Sequence, residues 1–244
     1  MRKVRMGGAT SARMGVAVSA LALAAGPCQA MAPGAEAPAG AGSMAARAPA
    51  LTVLDALPVR GETAPGYHRD LFEDPRDRWP DVDRNGCDTR NDVLFRDLRS
   101  VTRHDDGCRV TAGELSDPYT GNTKRFASGR DTSGEVEIDH VVSLANAWRT
   151  GAFAWPHERR VGFANDPANL LAVERATNRE KSDQDAASWL PPAPGLRCPF
   201  VARQVGVKER YGLWVTPTEA SSMRAVLATC PGQPALGRPP AEGG

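Results

Sequence analysis

Between residues 135 and 189 the pattern of apolar and polar positions changes period. Val136 and Ile138 alternate with Glu135, Glu137 and Asp139, the period of a half-buried β-strand. Asn169-Leu-Leu-Ala-Val173 is a second apolar run, long enough for another strand. Residues 176–187 are polar, free of Gly and Pro, and rich in helix formers, so they predict a helix. Between the two runs, Leu144, Ala147 and Trp148 have helical spacing that Gly151 ends. The order is strand, long loop, strand, helix, with Trp189-Leu-Pro-Pro192 expected to stop the last element.

The flanking pattern adds shorter elements. Leu51 to Leu57 and Val59 open the folded part, and Pro58, Pro65, Pro75 and Pro80 break the next stretch into turns. Residues 67–72 read as loop or one helical turn. Residues 91–98 read as a helix with Val93, Leu94, Leu98 and Val101 on one side. Residues 108–115 and 124–126 read as strands, and 198–211 as helical. Thr216-Pro-Thr-Glu219 combines a threonine cap, proline at the first position and glutamate three residues on, the start of a helix running to about Cys230. Trp148, Trp155 and Phe163 read as core, and Tyr119 as packing at the edge of the strand–strand–helix unit. The fold class is α+β: a small strand–strand–helix core surrounded by helices and disulfide-tied loops, spanning residues 51–230.

Composition changes the picture at the ends and in the charge. Residues 1–30 have a basic start, an apolar run from Met14 to Ala25 and a small-residue stretch ending at Ala30, the pattern of a secretory signal. That run is too short to span a bilayer, and Pro27 before Cys28 fits a lipid-acceptor signal poorly, so a secreted protein without a membrane span is expected. Residues 31–50 are an Ala/Pro/Gly-rich linker, and 231–244 a disordered tail. The net charge of +1 is misleading. Residues 1–30 hold four basic side chains and no acids, and without them 26 basic groups face 29 acidic ones. A protein-wide basic field for nucleic acid is absent, so phosphate affinity must come from a local patch. Lys124, Arg125 and Arg130 form the densest basic group before residue 135.

Without Cys28 four cysteines remain, an even count that argues for disulfides in an exported chain. Three connectivities exist. Cys87–Cys108 with Cys198–Cys230 is favoured because each pair brackets one compact segment, and no pair has the C-x-x-C spacing of a zinc site. Asp81-Val-Asp-Arg-Asn-Gly86 resembles half of a calcium loop, but Asp92 stands where the glutamate belongs, and a disulfide-tethered loop is the preferred reading.

The candidate chemistry lies at the end of the first strand. Asp139 and His140 are adjacent, so on a regular strand they would point to opposite faces, and for both to reach one substrate the chain must turn at His140. Asn178 falls in the first turns of the helix and can reach back to the same point. A carboxylate and an amide oxygen are hard ligands suited to Mg²⁺, Mn²⁺ or Ca²⁺. An imidazole beside them can take a proton from water near neutral pH. These are the parts of a phosphodiester hydrolase.

The same residues carry a resemblance. Asp139-His140-Val-Val, Asn169-Leu-Leu and Asn178-Arg-x-Lys181-Ser-Asp are similar to the ββα-metal motif of HNH endonucleases, including the HNH domain of the large CRISPR effector nucleases, which also closes on Asn. Residues ~58–230 resemble secreted HNH-like proteins related to the C-terminal domain of GmrSD-type restriction enzymes, through Asp83-Arg-Asn-Gly-Cys-Asp-Thr-Arg-Asn91, Asp117-Pro-Tyr-Thr-Gly121, Glu137-Ile-Asp-His140 and Phe163-Ala-Asn-Asp-Pro167. The resemblance implies His140 as general base and Asp139 and Asn178 as ligands of one divalent ion, Mg²⁺ or Mn²⁺. Asn169 would bond the loop backbone and fix the histidine ring. Arg90, Arg179 and Lys181 would meet substrate phosphate, and the substrate would be nucleic acid, DNA favoured over RNA. Two alternatives stay open: a non-catalytic exported binding module on the same scaffold, and a phosphodiesterase acting on a cell-wall polymer.

Overall fold

The computed structural model describes residues 48–61 and 63–236. The expected signal and most of the linker lie outside the described residues. The described part is α+β, with two small antiparallel sheets and seven helices.

The strand–strand–helix order is as the pattern indicates. β4 (Val136–His140) pairs antiparallel with β5 (Leu170–Glu174), His140 opposite Leu170 and Val136 opposite Glu174. β5 runs without a break into α5 (Arg175–Lys181). That helix is shorter than the sequence indicates. Ser182 takes φ 51° and ψ −131°, a positive-φ backbone reversal that no helix can continue through, so the chain leaves α5 well before Trp189 and Pro191. Helix propensity reads residues 176–187 as one segment because it does not register this single backbone reversal. The long connection from β4 to β5 carries α3 (Leu144–Arg149), capped by the Ser143 side chain on Asn146 N–H, and α4 (His157–Ala164), which the pattern does not reveal.

Before the hairpin come α1 (Ala50–Ala56) and α2 (Thr89–Asp97), then β1 (Leu98–Arg103), β2 (Val110–Ser116) and β3 (Thr123–Ala127) in one three-stranded sheet of that order. Leu98 and Val101, expected on the helix face, belong to β1. Leu98 closes α2 with φ −90° and ψ 153°, and the backbone is already extended there. After the hairpin, α6 (Arg197–Tyr211) packs against α7 (Pro217–Leu227), whose start carries the reciprocal Thr216–Glu219 capping box. Both favoured disulfides are present. Cys87–Cys108 ties the loop before α2 to the β1–β2 turn, and Cys198–Cys230 ties the start of α6 to the end of α7.

Three apolar clusters meet at the hairpin. Val136, Ile138, Leu170 and Ala172 pack with Val93, Leu94, Leu115 and Phe126 of α2 and the three-stranded sheet. Val141 and Val173 pack into the α1–α6–α7 cluster with Tyr119, Phe200 and Val205. Val142 and Leu144 join Phe72, Phe163 and Val207. The turn after His140 is therefore clamped from three sides. The outer edge of β5 is closed by side chains: Asp97 accepts Ala172 N–H at 2.8 Å and Asp117 accepts Glu174 N–H at 2.9 Å, which blunts an otherwise open edge.

The folded part extends past its expected limits. Ala48 and Pro49 pair with the chain at Pro234 and Ala235, Leu236 N–H bonds Ala202 O at 3.1 Å, and Ala235 is buried, so the tail is packed as far as residue 236. Gly206 makes this possible, since a Cβ there would overlap the Leu236 carbonyl. Gly206→Ala is expected to cost about 1–3 kcal/mol, the usual penalty of overpacking, read as a lower urea midpoint. An unchanged midpoint would show that residues 233–236 contribute nothing to the fold.

Candidate active site

β4 ends where its last two side chains diverge. Asp139 points toward Tyr119 and α5, and His140 toward the end of α4. Both are buried, at 7% exposure. The Asp139 carboxylate accepts the Tyr119 hydroxyl at 2.5 Å and takes Lys181 Nζ at 3.0 and 2.9 Å on its two oxygens. Burial pushes this carboxyl up from its ordinary range, while the Lys181 ammonium and the Tyr119 hydroxyl pull it back. Burial, together with the anionic neighbour, drives the Tyr119 hydroxyl well above its ordinary value, so Tyr119 stays a donor.

His140 is held by its far nitrogen. Nε2 lies 2.8 Å from Ala164 O, the last carbonyl of α4. A carbonyl can only accept, so Nε2 carries the proton and Nδ1 is the basic nitrogen. Burial lowers the ring to about 3, which keeps it neutral at physiological pH. Asn169 does bond the loop backbone: its Oδ1 accepts Val142 N–H at 2.8 Å and its Nδ2 donates to Val142 O at 3.1 Å. It fixes the turn that carries the ring, whereas the ring itself is oriented by Ala164.

Asp139, His140 and Asn178 all line one cavity of about 360 Å³, with Tyr67, Arg69 and Arg179 at its walls. Asn178 Nδ2 donates to Glu137 at 2.8 Å, committing the amide nitrogen and leaving Oδ1 as the group offered to a ligand. Among the described residues no three His, Cys, Asp or Glu side chains cluster as a metal site. The oxygens of Asp139 and Asn178 are hard donors of the kind a hard divalent ion takes, and both Asp139 oxygens already meet Lys181.

The three cations placed at phosphate by resemblance separate. Arg179 is exposed on the cavity wall. Arg90 lines a second, adjoining cavity, its Nη2 bonding Ser133 O and Val136 O. Lys181 is fully buried, and its donors go to Asp139 and to His140 O at 2.9 Å. It is the counterion of Asp139 and does not face the cavity. Lys124 pairs with Glu135 and Glu174, and Arg125 lies beside Glu114, so two of that basic group are met by acidic neighbours, while Arg130 is exposed. The Asp81 loop is a tethered turn, its carboxylate accepting Asn85 and Gly86 N–H.

Sequence reasoning misses Arg69, Arg78, Trp79 and the role of the Tyr119 hydroxyl. They arrive from loops far along the chain, and nothing in their local pattern marks them. Tyr119 does pack, as its sequence context suggests, but its hydroxyl also holds the Asp139 carboxylate.

The model of the GmrSD restriction endonucleases' C-terminal domain matches residues 88–226. That stretch runs from the cap of α2 to α7 and includes every residue of the cavity except Tyr67 and Arg69. The chain is also 39% identical over 184 residues to an "Uncharacterized secreted protein" of Arthroderma benhamiae, covering 74% of this chain and 84% of that one. No solved structure matches. The chain belongs to the family of GmrSD restriction endonuclease C-terminal domains.

Proposed function

We propose that this protein is an exported, metal-dependent endonuclease, with β4, β5 and α5 as its ββα-metal core and His140 as its general base. The observation that carries the reading is the binding of His140 Nε2 to a backbone carbonyl in a wall shared with Asp139 and Asn178. That carbonyl fixes the tautomer and leaves Nδ1 as the basic nitrogen of a residue that lines the cavity with Asp139 and Asn178. Membership of a restriction-endonuclease domain family supports the same chemistry.

In this reading His140 Nδ1 takes a proton from water, and the resulting hydroxide attacks phosphorus as one ester P–O bond breaks. The ring's low intrinsic basicity comes from burial, and the negative charge of a bound phosphodiester raises it again. Arg179 and Arg69 meet the phosphate from the cavity wall. Asp139 and Asn178 would hold Mg²⁺ or Mn²⁺, which when bound supplies Lewis-acid stabilisation of the phosphate and the leaving oxygen. Export is supported by the signal-like first 30 residues, two disulfides and the secreted description of the fungal relative. Among the described residues no helix is long and apolar enough to cross a membrane.

The test is cleavage of single-stranded DNA, supercoiled plasmid and RNA by the purified mature protein with single divalent ions. Cleavage is expected with Mg²⁺ or Mn²⁺, lost in chelator and restored by excess ion. Cleavage that persists in chelator would remove the ion. A folded protein that cuts none of these with any ion would return the chain to the binding-module alternative.

A further inference from the structure

Beside the site lies a larger cavity, about 510 Å³, that shares Arg69, Ile138 and Asn178 with the first and continues over Arg78, Trp79 and Arg90. We propose that this second cavity is the subsite for the nucleotide flanking the scissile phosphate, with phosphate on Arg78 and Arg90 and the base on the face of Trp79, so that the enzyme takes a single strand rather than a paired duplex. The inference rests on the nuclease reading and adds the form of the substrate.

Arg90 is a preorganised anion ligand. It is half-buried, braced by two carbonyls at 3.1 and 3.3 Å, and makes no ion pair within 4 Å among the described residues. Its other N–H groups are left for a guest. Arg78 is exposed and likewise makes no ion pair among the described residues. Trp79 is half-buried, its body packed on the α2–β-sheet cluster and its backbone pinned by Asp77, which accepts its N–H at 3.0 Å. A rigid, partly exposed indole between arginines is a stacking platform, and stacking tolerates any base. Glu137 also lines the cavity, but it is engaged by Asn178 at 2.8 Å and faces Arg175 at 3.8 Å.

The charge inventory decides between strand and duplex. Non-specific duplex binders neutralise roughly 6–10 phosphates. Here the two cavities offer Arg69, Arg78, Arg90 and Arg179, and Arg69 is already paired with Glu73. Lys124, Arg149 and Arg175, on the adjoining surface, are paired with acids, and exposed Arg130, three residues before cavity-lining Ser133, adds one more cation. Such a set suits a few phosphates of one strand, with the remaining affinity drawn from stacking. A paired base has its faces covered by its neighbours and its edge by its partner, so it cannot lie on Trp79.

Fluorescence anisotropy of a short labelled single strand, and of the same sequence as duplex, is measured in chelator with wild type, Arg78→Ala, Trp79→Ala and Trp79→Phe. The strand is expected to bind about tenfold or more tighter than the duplex. Trp79→Ala should weaken the strand about 5- to 100-fold, the range of one lost base stack, with Trp79→Phe recovering most of it. Arg78→Ala, on an exposed side chain that cannot unfold the protein, should weaken it several-fold and lower the salt dependence by about one counterion. Equal affinity for strand and duplex, or wild-type affinity in Arg78→Ala, overturns the proposal. Adding Mg²⁺ or Mn²⁺ to the same mixtures then tests the nuclease reading on its own. Strand binding with these variant effects but no cleavage would sink catalysis and leave the subsite.

Discussion

Replacing His140 with alanine is expected to lower cleavage of single-stranded DNA by about 10²- to 10⁴-fold, the usual contribution of a general base, while the protein stays folded. The ring touches Ala164 O through one bond and otherwise faces the cavity wall, so its loss removes one hydrogen bond and leaves a buried carbonyl, a cost of about 1–3 kcal/mol. Circular dichroism and a urea titration separate the two effects. A variant that cuts like wild type would end the assignment. The ring also makes a prediction about pH. Its folded pKa, about 3, lies below the ordinary value of ~6.5, so between the two the unfolded chain holds a proton that the folded chain does not. Stability from this group is therefore full above ~6.5 and is lost as pH falls toward 3. Wild type should lose stability over that window more steeply than His140→Ala, and the gap between them should narrow in acid. Parallel urea midpoints across the window would show that the ring is not buried neutral.

How much of the fold and site is legible in local sequence depends on the distance over which each contact acts. β4 and β5 are legible because alternation and apolar runs are properties of a few successive residues, and the capping box of α7 because its residues are three apart. Asp139, His140 and Asn178 are legible as candidates from their chemistry, and they do line one cavity. What escapes is tertiary. The end of α5 depends on one positive-φ residue, Ser182, that its composition does not announce. The partner of the histidine ring is a backbone carbonyl 24 positions away, which no side-chain pattern encodes. Lys181 is placed at phosphate by resemblance alone, and resemblance does not say which way its side chain points. Here α5 turns it inward, to a carboxylate 42 positions earlier.

That inward lysine sets the second large effect. Lys181→Met keeps the length of the stem and removes the charge, leaving the Asp139 carboxylate buried with Tyr119 as its remaining side-chain donor. Breaking a buried pair in this way costs about 3–5 kcal/mol, so the variant should unfold at much lower urea than wild type. Without the ammonium, the carboxyl's folded pKa rises further, because burial already pushes it up. A carboxyl raised above its unfolded value of ~3.9 is stable below that value and destabilising as pH rises through the folded one. The defect of Lys181→Met should therefore shrink in acid. The double variant Asp139→Asn with Lys181→Met removes both charges and should recover much of the loss while remaining inactive, which separates the carboxylate's role in chemistry from its role in the fold. If Asp139 also holds the divalent ion, that ion becomes its surviving counter-charge in the single variant. Mg²⁺ or Mn²⁺ should then raise the urea midpoint of Lys181→Met more than that of wild type, and an equal shift in both would mean that the carboxylate serves the lysine alone.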